Sequence, residues 1–398
     1  MRLRRCMALQ VTLDDEARFD VASLLAGGDG LDRAPRWLAS APHRAEPAEV
    51  TLAQLAVLAT LPADAIAPRD ALVGAHGAAV VDALVAAGWL LDADDSAQAD
   101  ADARDVPWWP PALHAQAAGT WRGIDIAERQ DLGLMPDAAS LVEANGPPPT
   151  HAHRRAPAAA ARTLQLPAAR PFDALLAARR TCRNFDPVAV LDAASLATML
   201  HRVWGAVGTR ELAPGAVAVK KTSPAGGGLH AVEAYLLVQR VEGLAPGLYH
   251  YLPLEHAVEL LRPLDADAAR AAAHRVLAGQ HWFVDAPVFV IMTARFDRLF
   301  WKYRRHAKAW RVSHLDVGHL SQTMYLSAAD RGLGAFVTAA INDREIEDVL
   351  GLEPFREAAI ALVGFGPRSG RRDHVELDDV TLTAAARLAG HGDRSSNR

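Results

Sequence analysis

Two runs constrain this chain more than anything else in it. The first is Ala178-Arg179-Arg180-Thr181-Cys182-Arg183-Asn184-Phe185, and the second, about forty residues later, is Ser223-Pro224-Ala225-Gly226-Gly227-Gly228-Leu229-His230. Three guanidiniums and a hydroxyl packed into five residues make a dense anion grip, because the planar Arg fork meets phosphate oxygens two at a time. Three successive glycines remove every Cβ where backbone must come close to something flat or bulky. One segment can hold a phosphate and the other can floor a planar ring. Together they point to a flavin mononucleotide (FMN) site.

The bounds on the chain agree with a protein built around such a site. Its 398 residues are enough for two domains and a sizeable core. With 51 % apolar and 22 % charged residues the composition is that of an ordinary globular protein. A formal charge of −5 argues against a dedicated nucleic-acid binder. Arg2, Arg4 and Arg5 open the chain, but Asp14, Asp15 and Glu16 arrive before a signal-peptide apolar core could form. The longest apolar stretches, at 287–293 and 358–365, are strand-sized and too short to cross a bilayer. Cys6 and Cys182 are the only cysteines, too few for a disulfide framework, and a reducing cytoplasm is the expected setting.

Along the chain, 49–91 reads as a unit of its own within an N-terminal domain spanning 1–145. Val50, Leu52, Leu55, Val57 and Leu58 mark one helix, Val80, Val81, Leu84 and Val85 another, and Gly88 ends it before Trp89-Leu90-Leu91. Helix, turn, helix and short strand is a winged-helix pattern. Asp82 and the acidic stretch at 92–105 deny it a basic reading face, which favours contact with a peptide or protein; a small helical domain that only packs on its neighbour fits equally. The 92–105 tract reads as loosely ordered. Trp108, Trp109 and Trp121 read as packing anchors rather than as a binding groove. A Pro/Ala-rich connector covers 146–170, and His151 and His153 within it lack a third metal ligand.

From 171 to 389 helical and strand patterns alternate. Helices are expected at 172–180, 192–204, 265–277, 313–330 and 343–350, and strands at 234–241, 247–251, 257–261, 287–294, 336–339 and 359–365. Hairpin and crossover connections mix, so the expected class is α+β with a mostly antiparallel central sheet flanked by helices. The tail at 390–398 reads as frayed.

The arginine run resembles the N-terminal signature of the nitroreductase superfamily of flavin enzymes. The glycine run resembles one branch of it, the SagB-type azoline dehydrogenases of peptide maturation. Tyr235-Leu236-Leu237-Val238, Gly247-Leu248-Tyr249-His250-Tyr251, Gly318-His319-Leu320-Ser321-Gln322, Gly332-Leu333-Gly334-Ala335 and Leu350-Gly351-Leu352 are similar to further segments of that branch. The resemblance covers about half of the chain, 171–370. It implies that Arg179, Arg180, Thr181 and Arg183 hold the flavin phosphate and ribityl chain, with Arg368 closing on the phosphate. It also implies that Ser223, Pro224, Ala225, Gly226 and Gly227 on one side, and Thr338, Ala339 and Ala340 on the other, flank the ring. Ala339-Ala340 stands where many nicotinamide-using nitroreductases have Glu-Gly, which weakens a nitroreductase activity.

The branch also has a Lys-Tyr pair resembling Lys302-Tyr303 and implicated in catalysis. Tyr at its reference pKa of about 10 is a poor base near neutrality, and an adjacent ammonium favours its phenolate. Neighbours on a regular helix point roughly 100° apart, so cooperation requires a loop or a broken helix here. Read from the residues alone, the pair sits in a basic surface face with Arg298, Arg304, Arg305, His306 and Lys308. His230 lines a pocket or packs, and Cys182 has two close arginines that could lower its pKa.

The resemblance thus implies an FMN-dependent oxidase or dehydrogenase converting azolines to thiazoles or oxazoles on a ribosomally made precursor peptide, with Lys302 and Tyr303 handling the proton. Dioxygen is the expected electron acceptor, since no Gly-x-Gly-x-x-Gly fingerprint is present. A homodimer and a cyclodehydratase partner follow from the resemblance; no metal, nucleic acid or membrane is expected. Two other readings stay open: a nicotinamide-driven reductase of nitro or quinone compounds, and a flavin-poor scaffold that only binds peptide and partner.

Overall fold

In the computed structural model the described residues are 1–95, 100–128, 138–150, 155, 162, 164 and 167–377. The frayed tail expected at 390–398, His151 and His153, and most of the 146–170 connector lie outside them. The chain divides into two compact units, and the division does not follow the chain linearly. One unit joins 1–120 with 296–310 and 353–357; the other joins 121–295 with 311–352 and 358 onward.

In the first unit, Thr51 caps the helix Leu52–Thr60, its hydroxyl accepting from Gln54 N while the Gln54 side chain accepts from Thr51 N. Helices Arg69–His76 and Ala78–Ala86 follow, and Gly88 turns the chain at φ 73° into the strand Leu90–Asp92. That strand pairs antiparallel with Arg2–Arg5, which pairs in turn with Ala67–Pro68. Leu3, Val57, Leu58, Val81, Leu84, Trp89 and Leu90 form the core beneath. A second small sheet joins Gln10–Asp14, Arg36–Ser40 and Ala48–Glu49. Trp108 is an anchor, as expected: its ring meets Phe296 at 4.4 Å and Phe300 at 4.6 Å, and its Nε1 donates to Phe355 O at 2.7 Å.

The acidic tract differs from expectation at its end. Residues 101–105 are helical, and Asp100 is buried with Arg104 at 2.9 Å and Met7 N at 2.7 Å. Local charge density reads as solvated only until a cation from the next helical turn and an amide from far off in sequence are brought to it.

The second unit is built on a six-stranded sheet in the order Ala257–Pro263, Gly247–Leu252, Val232–Val238, Val288–Arg295, Glu357–Gly366, Gly334–Thr338. Its first four strands pair antiparallel, as do the last two. Both central strands are buried along nearly their whole length, so apolar side chains leave both faces of the sheet. One face meets the helix Ala193–Val203 and the long helix Ala309–Asp330 through Leu196, Met199, Leu200, Leu320 and Met324. The other carries Ala272, Ala273 and Val276 of Ala266–Val276 and Ile346 of Asp343–Leu350. This is the α+β arrangement expected. A two-stranded ribbon, Ala206–Ala213 with Ala216–Lys221, was not expected from the sequence.

Candidate functional site

The arginine run is shaped by where its helix stops. Pro171 starts the helix Pro171–Ala178, Arg170 N donates to Asp173 Oδ2 at 2.6 Å, and from Arg179 (φ −63°, ψ 126°) the chain is extended. Cys182 N then donates to Ala335 O at 2.8 Å, which lays the run against the start of the strand Gly334–Thr338. The approach is close enough to require glycine: a Cβ on Gly334 would stand 2.6 Å from Cys182 Sγ and 2.9 Å from Arg368 Cγ.

Arg180 and Arg368, far apart in sequence, line one cleft of about 150 Å³ together with Tyr325 and residues 332–335. The Arg179 guanidinium lies over the Tyr325 ring, 5.4 Å from its centroid. Thr181 Oγ1 shares a 3.1 Å hydrogen bond with the Tyr325 hydroxyl. The structure therefore gathers Arg179, Arg180, Thr181 and Arg368 around Tyr325. Arg183 turns the other way: its Nη1 donates to Val375 O at 3.4 Å, and it lines a separate hollow with Asn184, Trp282 and His374.

The glycine run packs on the same helix as Tyr325. Gly226 N donates to Asp316 Oδ1 at 2.9 Å, and Ser223 Oγ meets Thr323 Oγ1 at 2.6 Å. Gly227 and Gly228 hold φ of 63° and 69°, a left-handed turn that glycine adopts without strain. Pro224 and Ala225 border a small hollow with Lys221, His230 and Asp316, so His230 is a lining residue. Burial raises the Asp316 carboxyl above its ordinary pKa. From Asp316 to Tyr325 is roughly 13 Å along the helix at its standard rise. One helix thus carries a glycine platform near one end and a cluster of guanidiniums farther along.

Thr338 ends the strand Gly334–Thr338, Ala339 and Ala340 follow it, and Thr338 and Ala340 are tied to Gln280. Thr338 Oγ1 donates to Gln280 Oε1 at 3.1 Å and accepts from Ala340 N at 3.1 Å, while Gln280 Nε2 donates to Ala340 O at 2.6 Å.

Lys302 and Tyr303 belong to the first unit and are the last two residues of the helix Phe296–Tyr303. Arg304, with φ 50°, breaks the helix directly after them while its N donates to Phe300 O at 2.8 Å. At this helix end the Lys302 ammonium lies over the Tyr303 ring, 5.8 Å from the centroid. The pair thus interacts although it is helical. Lys302 is exposed and Tyr303 half-buried.

One expectation is reversed. Cys182 is fully buried, and burial, with Glu376 next, pushes its thiol up to about 12, so the neighbouring arginines do not activate it. Among the described residues no group of three His, Cys, Asp or Glu side chains is placed to hold a metal ion, and no helix is long and apolar enough to cross a membrane. Tyr325, Asp316 and Glu376 were not singled out from sequence. They stand in no local motif; helix periodicity puts Thr323 on the face of Asp316, seven residues on, but turns Tyr325, nine residues on, to the opposite face.

Residues 176–367 match the family described as Nitroreductase family. The chain carries a nitroreductase family domain. Among curated proteins, "Putative nitroreductase MJ1384" of Methanocaldococcus jannaschii is 32 % identical over 135 residues, which is 34 % of this chain and 66 % of that protein. "Trifolitoxin-processing protein TfxB" of Rhizobium leguminosarum bv. trifolii is 30 % identical over 145 residues, 36 % of this chain and 38 % of that protein. The chain thus spans just under two thirds of the first relative and little more than a third of the second. Among solved structures, a chain of the E. coli microcin synthetase McbBCD complex with truncated pro-MccB17 bound is 20 % identical, with a TM-score of 0.46; the match covers 65 % of this chain and 94 % of that one.

Proposed function

We propose that this chain is an FMN-dependent oxidoreductase that dehydrogenates azolines to thiazoles or oxazoles on a ribosomally synthesised precursor peptide. The observation that carries the reading is the cleft that Arg180 and Arg368 line together with Tyr325 and residues 332–335. Its donor set suits a phosphate: two guanidiniums, with a third stacked on Tyr325 and a hydroxyl at Thr181. The glycine run, with no Cβ at 226–228, is assigned the flat ring of the same ligand. Oxidoreductase chemistry is what the family domain suggests. The peptide substrate is supported by a relative named for processing trifolitoxin.

FMN held there would supply a hydride acceptor for one carbon of the azoline ring. Arg179, Arg180, Thr181 and Arg368 are assigned the phosphate and ribityl chain. Arg183, which lines a separate hollow, is left out of that set. Ser223–Gly227 with Thr338–Ala340 are assigned the ring faces. Lys302 and Tyr303 are assigned the proton from the neighbouring carbon. Hydride and proton together are the two hydrogens an azoline loses, and dioxygen taking them would leave as hydrogen peroxide. A homodimer, a cyclodehydratase partner, a cytoplasmic setting and peptide contact through 49–91 complete the proposal.

Mass spectrometry of an azoline-bearing peptide incubated with the protein, FMN and air tests it. Loss of two hydrogens per ring, abolished by Lys302→Ala or Tyr303→Phe, is expected; an unchanged mass with flavin-loaded protein would reject the substrate. A reductase of nitro or quinone compounds is the second reading, favoured by the relative named as a nitroreductase. NADPH consumption with such an acceptor, without azole formation, would select it.

A further inference from the structure

We infer that Glu376 is a positioning residue for the phosphate end of the cleft, its carboxylate fixing the Arg368 guanidinium where an incoming phosphate needs it. The inference rests on the FMN reading above and adds a residue outside every segment assigned to the cofactor. Glu376 lies eight residues beyond Arg368, yet its side chain is only 4 % exposed. Its Oε1 accepts from Arg183 N at 2.6 Å, from Asn184 N at 3.0 Å and from Asn184 Nδ2 at 3.0 Å. Its Oε2 pairs with Arg368 Nη2 at 2.5 Å.

Two consecutive backbone N–H groups aimed at one oxygen form an anion-binding nest, here filled by the chain's own carboxylate. Burial opposes the charge, but the Arg183 N–H, the Asn184 donors and Arg368 outweigh it and keep the carboxyl below the ordinary Glu range. Asn184 locks the returning segment: its Oδ1 accepts from His374 N and its Nδ2 donates to His374 O, both at 2.8 Å, while Ser369 N donates to Asn184 O at 2.9 Å. Glu376 therefore bridges the arginine run to Arg368 from behind the cleft.

The consequence for binding is preorganisation. Arg368 is about one third exposed and lines the cleft, so without a partner its long side chain would have to be ordered by the ligand. A guanidinium has five donors, so one bond to Glu376 does not by itself exhaust its capacity to meet phosphate oxygens. Holding the fork in place removes that ordering cost from the binding step.

The test uses the full-length chain freed of flavin and titrated with FMN and with riboflavin, the same ring system without phosphate. Glu376→Gln keeps an acceptor for Arg183 and Asn184 but loses the charge that holds Arg368. We expect the FMN Kd to rise about tenfold, the scale of one charge-assisted bond, with riboflavin binding unmoved. In an Arg368→Ala background, Glu376→Gln should add nothing, because its effect runs through Arg368. Glu376→Asp, which retains the charge, should keep the preference for FMN even if the Gln variant folds poorly. Unchanged or tighter FMN binding in Glu376→Gln would overturn the inference and mark the carboxylate as idle or as a competitor of phosphate. Equal losses for FMN and riboflavin, or full additivity with Arg368→Ala, would also overturn it. If the unsubstituted chain binds FMN no better than riboflavin, the phosphate reading itself falls, and that result is visible before any variant is made.

Discussion

The Tyr325 hydroxyl lies 3.1 Å from Thr181 Oγ1, and the same oxygen accepts the Val337 amide at 3.1 Å. One side chain of the long helix thereby ties the arginine run to the strand beside it. Tyr325→Phe keeps the ring under Arg179 but leaves the Val337 N–H without this acceptor. We expect about 1 kcal/mol of lost stability in urea unfolding, and Tyr325→Ala should lose more because the Arg179 stack goes with the ring. A Phe variant as stable as the parent would show that water replaces the hydroxyl.

Arg180 and Arg368 share one cleft, so each should contribute to phosphate and neither to the ring. Arg180→Ala and Arg368→Ala are expected to raise the FMN Kd by roughly 10- to 100-fold, as the loss of a hydrogen bond to a charged group predicts. Riboflavin affinity should not change. Fluorescence titration with both ligands reads this directly. If both ligands weaken together, the arginines serve the fold rather than the phosphate.

What could be read beforehand follows from how local the signal was. The helix Asp343–Leu350 has the bounds its apolar spacing predicts, and Asp192 and Asp265 cap the helices they precede. The arginine run and glycine run announced themselves by composition, and both proved to pack on the helix Ala309–Asp330. The ribbon at 206–221 was missed because most of its residues are exposed and show no clean inside-outside alternation. The strand Arg2–Arg5 was hidden by its three arginines, only Leu3 being fully buried. Glu376 and Tyr325 matter through partners far away in sequence, which no single stretch can reveal.

Asp343 and Glu347 are neighbours one turn apart on the helix Asp343–Leu350, both buried. Burial raises their pKa values, to about 6 for Asp343 and to about 7 for Glu347. The unfolded chain loses these protons at lower pH than the folded chain, so the fold binds more protons between about pH 4 and pH 7. Their contribution to stability is then fully present in acid and falls as pH rises through that window. Glu347→Gln should flatten this decline in melting temperature between about pH 5 and pH 8. Parallel curves for the two proteins would mean that Glu347 is already ionised in the fold.

Gly226 is held against Val312, the helix residue one turn before Asp316. A Cβ built on Gly226 overlaps Val312 Cγ1 and stands 3.2 Å from Val312 Cβ. Valine is stiff at χ1, so the overlap is relieved only if the rotamer changes or the glycine run lifts off the helix. Lifting would also stretch the 2.9 Å bond from Gly226 N to Asp316. We expect Gly226→Ala to cost about 1–3 kcal/mol, the usual range for an overpacked contact. Val312→Ala removes the obstructing methyls, so the double variant should recover most of that loss. Recovery of stability together with FMN affinity would show that the platform matters for its position against the helix. If the double variant regains stability but binds flavin poorly, the added methyl itself intrudes on the ring site, and the glycine is required for the cofactor rather than for packing.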